Sequence, residues 1–362
     1  MAHFVAHGYA PTEPPILQPA SVFLDMAGEE IRGKLILASD SSGAELCLRP
    51  EYTAPVCRAY LAEGAEGRQA HYTYAGPVFR AGSGKPGRSG QTEQAGLESY
   101  GRRDAEAADA EIFALAMEAG AEVAGTGLQA RIGDVAIFDR VLAAMEFPQT
   151  LLRRLRRALA RGQDLDAALA AAAPTDGRSG VLAALEKSDH AGAKALVEDL
   201  LAIAGIAAVG GRSVSEIADR FLDNAALRAG TEIDDGKKQV LKGFLAVSGS
   251  PDAAAAELRS LARDAHLDLT QALDAFERRN GFIAARGQDV DAIVYSFGFA
   301  PDLDYYTGFV FDASPKGLPR TRPGAAGGRY DGLARKLGAK GDVPAVGAAL
   351  LIDRLRPSGD RS

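Results

Sequence analysis

The sequence predicts an α+β chain, an antiparallel sheet flanked by helices and interrupted by an inserted helical domain. Three observations lead there. Alternating, β-rich segments that can pair through a hairpin lie in the first part, up to about residue 138. An alanine-rich and almost wholly helical stretch follows, from about residue 151 to 286. Strand-like segments then return. No βαβ alternation supports a doubly wound sheet. The expected organisation is residues 1–150 as the first part of a core, 151–288 as the helical insert and 289–362 as the rest of the core.

The elements follow in order. Residues 71–79 (HYTYAGPVF) and 92–101 (TEQAGLESYG) are rich in β-formers or alternate in polarity. Between them AGSGKPGRSGQ carries Gly82, Gly84, Gly87 and Gly90, which suits a long loop joining two antiparallel strands. Residues 104–120 have helical spacing, with acidic side chains in the first turn where they suit the helix dipole. In the insert, Ser213-Val-Ser-Glu216 is a capping box ahead of IADRFLDNAAL. Ser250-Pro251 opens DAAAAELRSLARDA with proline at the first helical position. Residues 167–173, seven in a row of alanine and leucine, belong to a plain helix. Strands are expected again at 292–299, 306–312 and 346–352.

Composition excludes several function classes. Lys+Arg 41 against Asp+Glu 48 leaves a net charge of −7, which argues against broad phosphate-backbone binding and makes nucleic acid an unfavoured partner. No run approaches the ~18 apolar residues of a membrane helix. The opening MAHFVAHGYAPTEPP has neither a basic nor an apolar leader region, so a cytoplasmic location is expected. Cys47 and Cys57 have apolar neighbours and no CxxC spacing, and the five histidines are scattered. Neither a metal nor a cofactor is expected. Gly324-Ala-Ala-Gly327-Gly328 lacks the dinucleotide spacing, and Gly84-Lys85-Pro86 fails the phosphate-loop pattern.

Four segments hold polar groups that apolar periodicity does not explain: LRPEYTAP from Leu48, Gln94-Ala-Gly-Leu-Glu98, LDYYTG from Leu303, and GGRYDG from Gly327. Gln94, Gly96 and Glu98 share one strand face by period-two alternation. Gly96, without a side chain, leaves space between an amide and a carboxylate. Such a face suits a small zwitterion, with the carboxylate for an ammonium or imidazolium and the amide as donor and acceptor. Spacing alone also allows a solvated sheet face. The basic run LLRRLRRALARG (Arg153, Arg154, Arg156, Arg157, Arg161) reads as a solvated helix face or as a docking surface for an acidic partner or RNA.

Together these segments resemble histidyl-tRNA synthetase, a class II aminoacyl-tRNA synthetase. LRPEYTAP is similar to that family's LRPE-x-T-A-P segment. Phe79-Arg80, the glycine loop and Gln94-x-Gly96-x-Glu98 resemble its motif 2 region. LDYYTG and AAGGRYDGL resemble its two histidine-recognition segments, and Gly347-Ala-Ala-Leu-Leu-Ile-Asp353-Arg354-Leu355 resembles motif 3. The matches keep the family's order across nearly the whole chain. The resemblance implies a class II synthetase-like antiparallel sheet and a histidine pocket made by Glu51, Thr53, Arg80, Gln94, Glu98, Tyr305, Tyr306 and Tyr330. Glu51 and Glu98 are expected to face the ammonium and the imidazole, and a structural ion pair of Arg49 with Glu51 is the alternative. Gln94 would span the ammonium and carboxylate, and Arg80 would meet the carboxylate as a bidentate pair. Tyr305 and Tyr306, as neighbours on a strand, would face opposite sides.

The departures concern the phosphate side. The family's glutamate two residues after the motif 2 arginine and its phenylalanine under the adenine are replaced by Gly82 and Thr92. The arginine that opens the first histidine-recognition segment is replaced by Pro301. Leu351 and Asp353 stand where motif 3 has glycine and glutamate, and the sequence ends soon after, where an anticodon-binding domain would follow. Adenylate formation depends on stabilising charge on phosphate, and each lost donor costs several kcal/mol. A histidine pocket without catalytic residues resembles the regulatory-subunit family of ATP phosphoribosyltransferase. That resemblance implies a short-form catalytic subunit as partner, L-histidine as effector, and a self-dimer within a hetero-oligomer. The alternatives are a divergent histidyl-tRNA synthetase without its anticodon domain and a free-standing histidine sensor.

Overall fold

The computed structural model describes residues 1–24, 33–82, 90–147, 151, 155, 194–195, 198–199, 234–299, 301, 305–318 and 323–356. A short helix, α1 (Ala2–Ala6), leads to an edge strand, β1 (Ala10–Pro11). Next comes a small antiparallel sheet of β2 (Leu17–Pro19), β3 (Leu37–Ser39) and β4 (Glu45–Leu48), with β4 central. α2 (Thr53–Ala62) precedes the expected hairpin, β5 (Ala70–Phe79) and β6 (Gln91–Tyr100), which pair antiparallel along their whole length. α3 (Ala105–Ala124) is the helix expected from the spacing, and it ends where Gly125 takes φ 62°, the left-handed conformation that glycine adopts without steric cost. β7 (Leu128–Asp134) and α4 (Val135–Ala144) follow.

The chain continues with α5 (Asp235–Ala246), β8 (Ser248–Gly249), α6 (Pro251–Asp264) and α7 (Thr270–Ala285). Ser250 caps α6 and Pro251 opens it, as expected from a residue whose missing N–H has no use there. The last strands are β9 (Val294–Ser296), β10 (Phe309–Pro315), β11 (Ala325–Arg329) and β12 (Ala345–Leu351), with α8 (Leu333–Lys336) and α9 (Ile352–Leu355) beside them. One sheet runs in the order β1-β5-β6-β12-β11-β10-β7-β9-β8. It is antiparallel except at β1/β5 and β7/β9.

Two expected strands differ in extent. The strand at 292–299 shrinks to Val294–Ser296, because Val290–Ala292 close a 3-10 turn under the side chain of Asp289. The strand at 306–312 starts only at Phe309. Tyr305 to Gly308 form a turn instead, because the Thr307 N–H donates to the Arg329 carbonyl at 2.8 Å. Tyr305 and Tyr306 therefore do not face opposite sides of a strand.

The chain divides into two compact units, Met1–Val141 with Gly243–Ser362, and Leu142–Lys242. The first holds the sheet, and also α6 and α7, which lie within the 151–288 expected as the insert. Within the second unit, Lys237 donates its ammonium to the Met145 carbonyl at 2.7 Å. The capping box at Ser213, the alanine-rich residues 167–173, the basic run from Arg153 to Arg161 and Asp304 lie outside the described residues. Among the described residues no helix is long and apolar enough to cross a membrane.

The sheet is buried on both faces, and alternation decides which side chains go where. Val310, Gly328, Gly347 and Glu98 stand in one register row across four strands, so their side-chain directions share a face. Phe309 and Phe311 point to the other face, where Phe113 of α3 packs edge-on against both at 6.1 and 5.1 Å. Phe113 is fully buried. Phe113→Ala is expected to lose about 3–5 kcal/mol of stability, read by urea denaturation; a change under about 1 kcal/mol would mean that α3 does not anchor this layer.

Candidate functional site

Glu98 lies at the centre of the other face with no exposed surface. A carboxylate is rarely accepted there without donors, and three hydroxyls supply them. The Tyr330 hydroxyl donates to Oε2 in a short contact, Thr53 donates to Oε1 at 2.8 Å, and Tyr74 donates to Oε1 at 3.3 Å. The carboxylate lies across β12 because Gly347 is its register partner, and any Cβ on Gly347 would collide with it. Burial and the nearby Glu51 push the Glu98 carboxyl up to about 8, against the pull of its hydroxyl donors.

Glu51 starts α2. Its two oxygens accept the N–H groups of Thr53 at 2.6 Å and Ala54 at 3.0 Å, which the first turn of a helix otherwise leaves unpaired. Burial raises its pKa, while these N–H bonds and the charge of Arg80 oppose the rise. The alternative ion pair with Arg49 does not form. The Arg49 guanidinium donates instead to the Pro14 and Pro77 carbonyls at 2.7 and 2.9 Å and to the Tyr52 hydroxyl. Arg80 is exposed and donates Nε–H to the Pro50 carbonyl at 2.9 Å.

Gln94 is buried, and its Oε1 has no partner among the described residues. An orphaned buried amide oxygen is costly unless something donates to it. The space expected above Gly96 is not open. Tyr74 stands directly opposite in the register and its hydroxyl lies over Gly96 on the way to Glu98. The ring of Tyr74 in turn stacks on Tyr52 at 4.3 Å and 7°.

The Tyr305–Gly308 turn places both of its tyrosines on this side. Their rings are 4.9 Å apart, and Tyr305 meets Tyr330 edge-on at 5.7 Å. The Tyr306 ring lies over Gly328, where a Cβ would sit 2.9 Å from it. The structure thus gathers Thr53, Glu98, Tyr305, Tyr306 and Tyr330 around one point, with Glu51 capping the helix that carries Thr53. Gln94 shares the Glu98 face two steps along β6, and Arg80 stands beyond the end of β5. No sequence pattern gives Tyr74, Tyr52 or Gly347 a place beside Glu98, although Tyr52 lies in LRPEYTAP and Gly347 in the motif 3 resemblance. Tyr74 was the most accessible of these, because the alternation that put Gln94 and Glu98 on one face also predicts a facing residue on the paired strand.

Two carboxyl groups are therefore buried close together, Glu98 among hydroxyl donors and Glu51 on the first N–H groups of α2. Among the described residues no three His, Cys, Asp or Glu side chains converge as metal ligands. Raising a carboxyl on folding has a definite sign in stability. Between the ordinary value of 4.5 and about 8 the folded chain holds a proton that the unfolded chain has released, so stability falls with rising pH across that window. Glu98→Gln is expected to raise the thermal midpoint more above pH 8 than near pH 5, relative to the unmodified chain. Parallel midpoint curves would show that folding does not shift the Glu98 pKa.

A family model described as Histidyl-tRNA synthetase matches residues 1–209 and 190–355. An ATP phosphoribosyltransferase regulatory subunit from Mesorhizobium japonicum is 40% identical over 359 residues, covering 97% of this chain and 94% of its own. The protein of that name from a Chelativorans species is 36% identical, covering 95% and 92%. Among solved structures, an ATP phosphoribosyltransferase regulatory subunit/histidyl-tRNA synthetase from Bacillus halodurans superposes with a TM-score of 0.69 at 22% identity, over 98% of this chain and 75% of that one. Histidyl-tRNA synthetase from a Nostoc species gives 0.63 at 17%, over 98% and 68%. These two neighbours establish the fold, an α+β class II synthetase-like sheet. On sequence and fold together, the chain belongs to the family of ATP phosphoribosyltransferase regulatory subunits, built on the histidyl-tRNA synthetase fold.

Proposed function

We propose that the chain is the non-catalytic regulatory subunit of ATP phosphoribosyltransferase, in the first step of histidine biosynthesis, and that it senses L-histidine at the site around Glu98. Catalysis resides in a short-form catalytic subunit, with which this chain forms a cytoplasmic hetero-oligomer. The observation that carries the reading is a site complete for an amino-acid cation and incomplete for ATP. Glu98 with its three hydroxyls, the unpartnered Gln94 Oε1 and the tyrosine cluster remain. Gly82, Thr92 and Pro301 stand where the synthetase family supplies ATP and carboxylate contacts. Glu98 receives the imidazole or the ammonium, Gln94 donates and accepts beside it, and Arg80 meets the carboxylate at the mouth.

Regulation then follows from linkage. Histidine binds this chain with different affinity in the active and inhibited assemblies, and so shifts their populations. A coupling of about 1–3 kcal/mol suffices. A second copy of this chain completes the assembly.

The decisive assay is the phosphoribosyltransferase rate of the short catalytic subunit with and without this chain. Strong activation, reversed by histidine, is expected, with no ATP–pyrophosphate exchange by this chain alone. Exchange without activation would make it a divergent synthetase, and neither activity would leave a free-standing sensor. Glu98→Gln is expected to weaken histidine binding by about one to two decades, as the loss of a charged hydrogen bond of about 1.5–3 kcal/mol requires. A cation beside Glu98 favours its ionised form, so binding releases a proton and affinity rises with pH up to about 8. Calorimetry in two buffers of different ionisation enthalpy reads that proton. Unchanged affinity in Glu98→Gln would remove Glu98 from the site.

A further inference from the structure

Behind the Glu98 face, on the side of α3, a charged network is buried that the histidine site does not use. Arg329, the last residue of β11, is 6% exposed. One of its terminal nitrogens donates to Asp109 of α3 at 2.6 Å and to the Ala105 carbonyl at 2.9 Å, and the other donates to Asp331 at 3.0 Å. Asp109 also faces Arg279 of α7 at 3.5 Å, and Arg279 pairs with Asp134 at 2.6 Å. Asp134 in turn accepts the first N–H groups of α4. Asp109, Asp134, Arg279 and Arg329 are all nine-tenths or more buried. Burying ion pairs is a weak route to stability, because apolar residues of the same volume often do as well. What this network has that an apolar pair lacks is a fixed direction.

The backbone of the same residue reaches the other face. The Arg329 carbonyl accepts the Thr307 N–H at 2.8 Å, which closes the Tyr305–Gly308 turn. Its neighbour Tyr330 carries the hydroxyl on Glu98. Asp331, held by Arg329, accepts the Ala345 N–H at 2.8 Å and donates its own N–H to the Thr307 hydroxyl at 3.0 Å. Every tyrosine contributed by the two C-terminal segments is thus next to, or bonded through, the backbone of the residue whose guanidinium is anchored on the far side of the sheet.

We infer that Arg329 is a positioning residue for the effector site: anchored by Asp109 on α3, it holds Tyr330 and the Tyr305–Gly308 turn against Glu98 through the sheet. The inference rests on the histidine reading for its ligand, but not for its geometry. It places a mechanical link between bound effector and the α3–α7 layer, which touches no ligand.

The test uses the full chain. Asp109→Asn removes the anchor charge from the face away from the site. The pair Arg329→Met/Asp109→Leu replaces the link with apolar groups and leaves no unpaired charge on these two residues. In either folded variant, histidine affinity is expected to fall about tenfold, and amide exchange at Thr307 and Asp331 to speed up by a similar factor. Asp109→Asn added to Tyr330→Phe is expected to cost no further affinity, because both act through one contact. Wild-type affinity and exchange in a folded variant, or full additivity with Tyr330→Phe, would overturn the inference. If the unmodified chain binds no histidine, the ligand reading fails and the exchange rates at Thr307 and Asp331 alone decide the positioning role. If neither variant folds, the unmodified chain decides: histidine is expected to slow exchange at Ala108, on the first turn of α3, and protection confined to the Glu98 face would overturn the inference.

Discussion

A carboxylate with no exposed surface has to be provided with donors, and the arrangement around Glu98 follows from that requirement. Its neighbours across the sheet must be glycine, because Gly347 and Gly328 sit where side chains would displace the carboxylate and the Tyr306 ring. Its donors must come from elements far apart in the chain, so α2, β5 and the segment after β11 converge on one point. Glu51, by capping α2, fixes the helix that brings Thr53. Burial nonetheless outweighs these donors, and the carboxyl keeps its proton up to about 8.

The same constraint separates the buried network from the loop end of the hairpin. Thr53, Glu98 and Tyr330 are part of the buried hydrogen-bond network, so losing one leaves an unsatisfied polar group in the core. Gly82 and Thr92 lie toward the loop end of the hairpin, where replacing an ATP contact leaves no such hole. Selection for folding alone therefore protects the one side and not the other.

Much of the hairpin, α3, α6 and the final strand was readable in the sequence, since each rests on local periodicity or a local cap. The tyrosine pair at 305 and 306 was misjudged. Adjacent residues alternate only in a strand, and here the Arg329 carbonyl, a partner 22 residues away, draws Thr307 into a turn. The open space above Gly96 was misjudged for a similar reason, because Tyr74 fills it from the paired strand. The Asp109–Arg329 network left no local sign, as its partners lie at a separation that spacing does not encode.

What the sequence by itself determined was the periodicity of each element, the α+β class and the set of polar residue types that no apolar pattern explains. Those depend on interactions within a few residues. The tertiary structure alone decided which hydroxyls reach Glu98, that Glu51 caps a helix rather than pairing with Arg49, and that one arginine serves both faces of the sheet. Those depend on register and burial, and both exist only once the strands have paired.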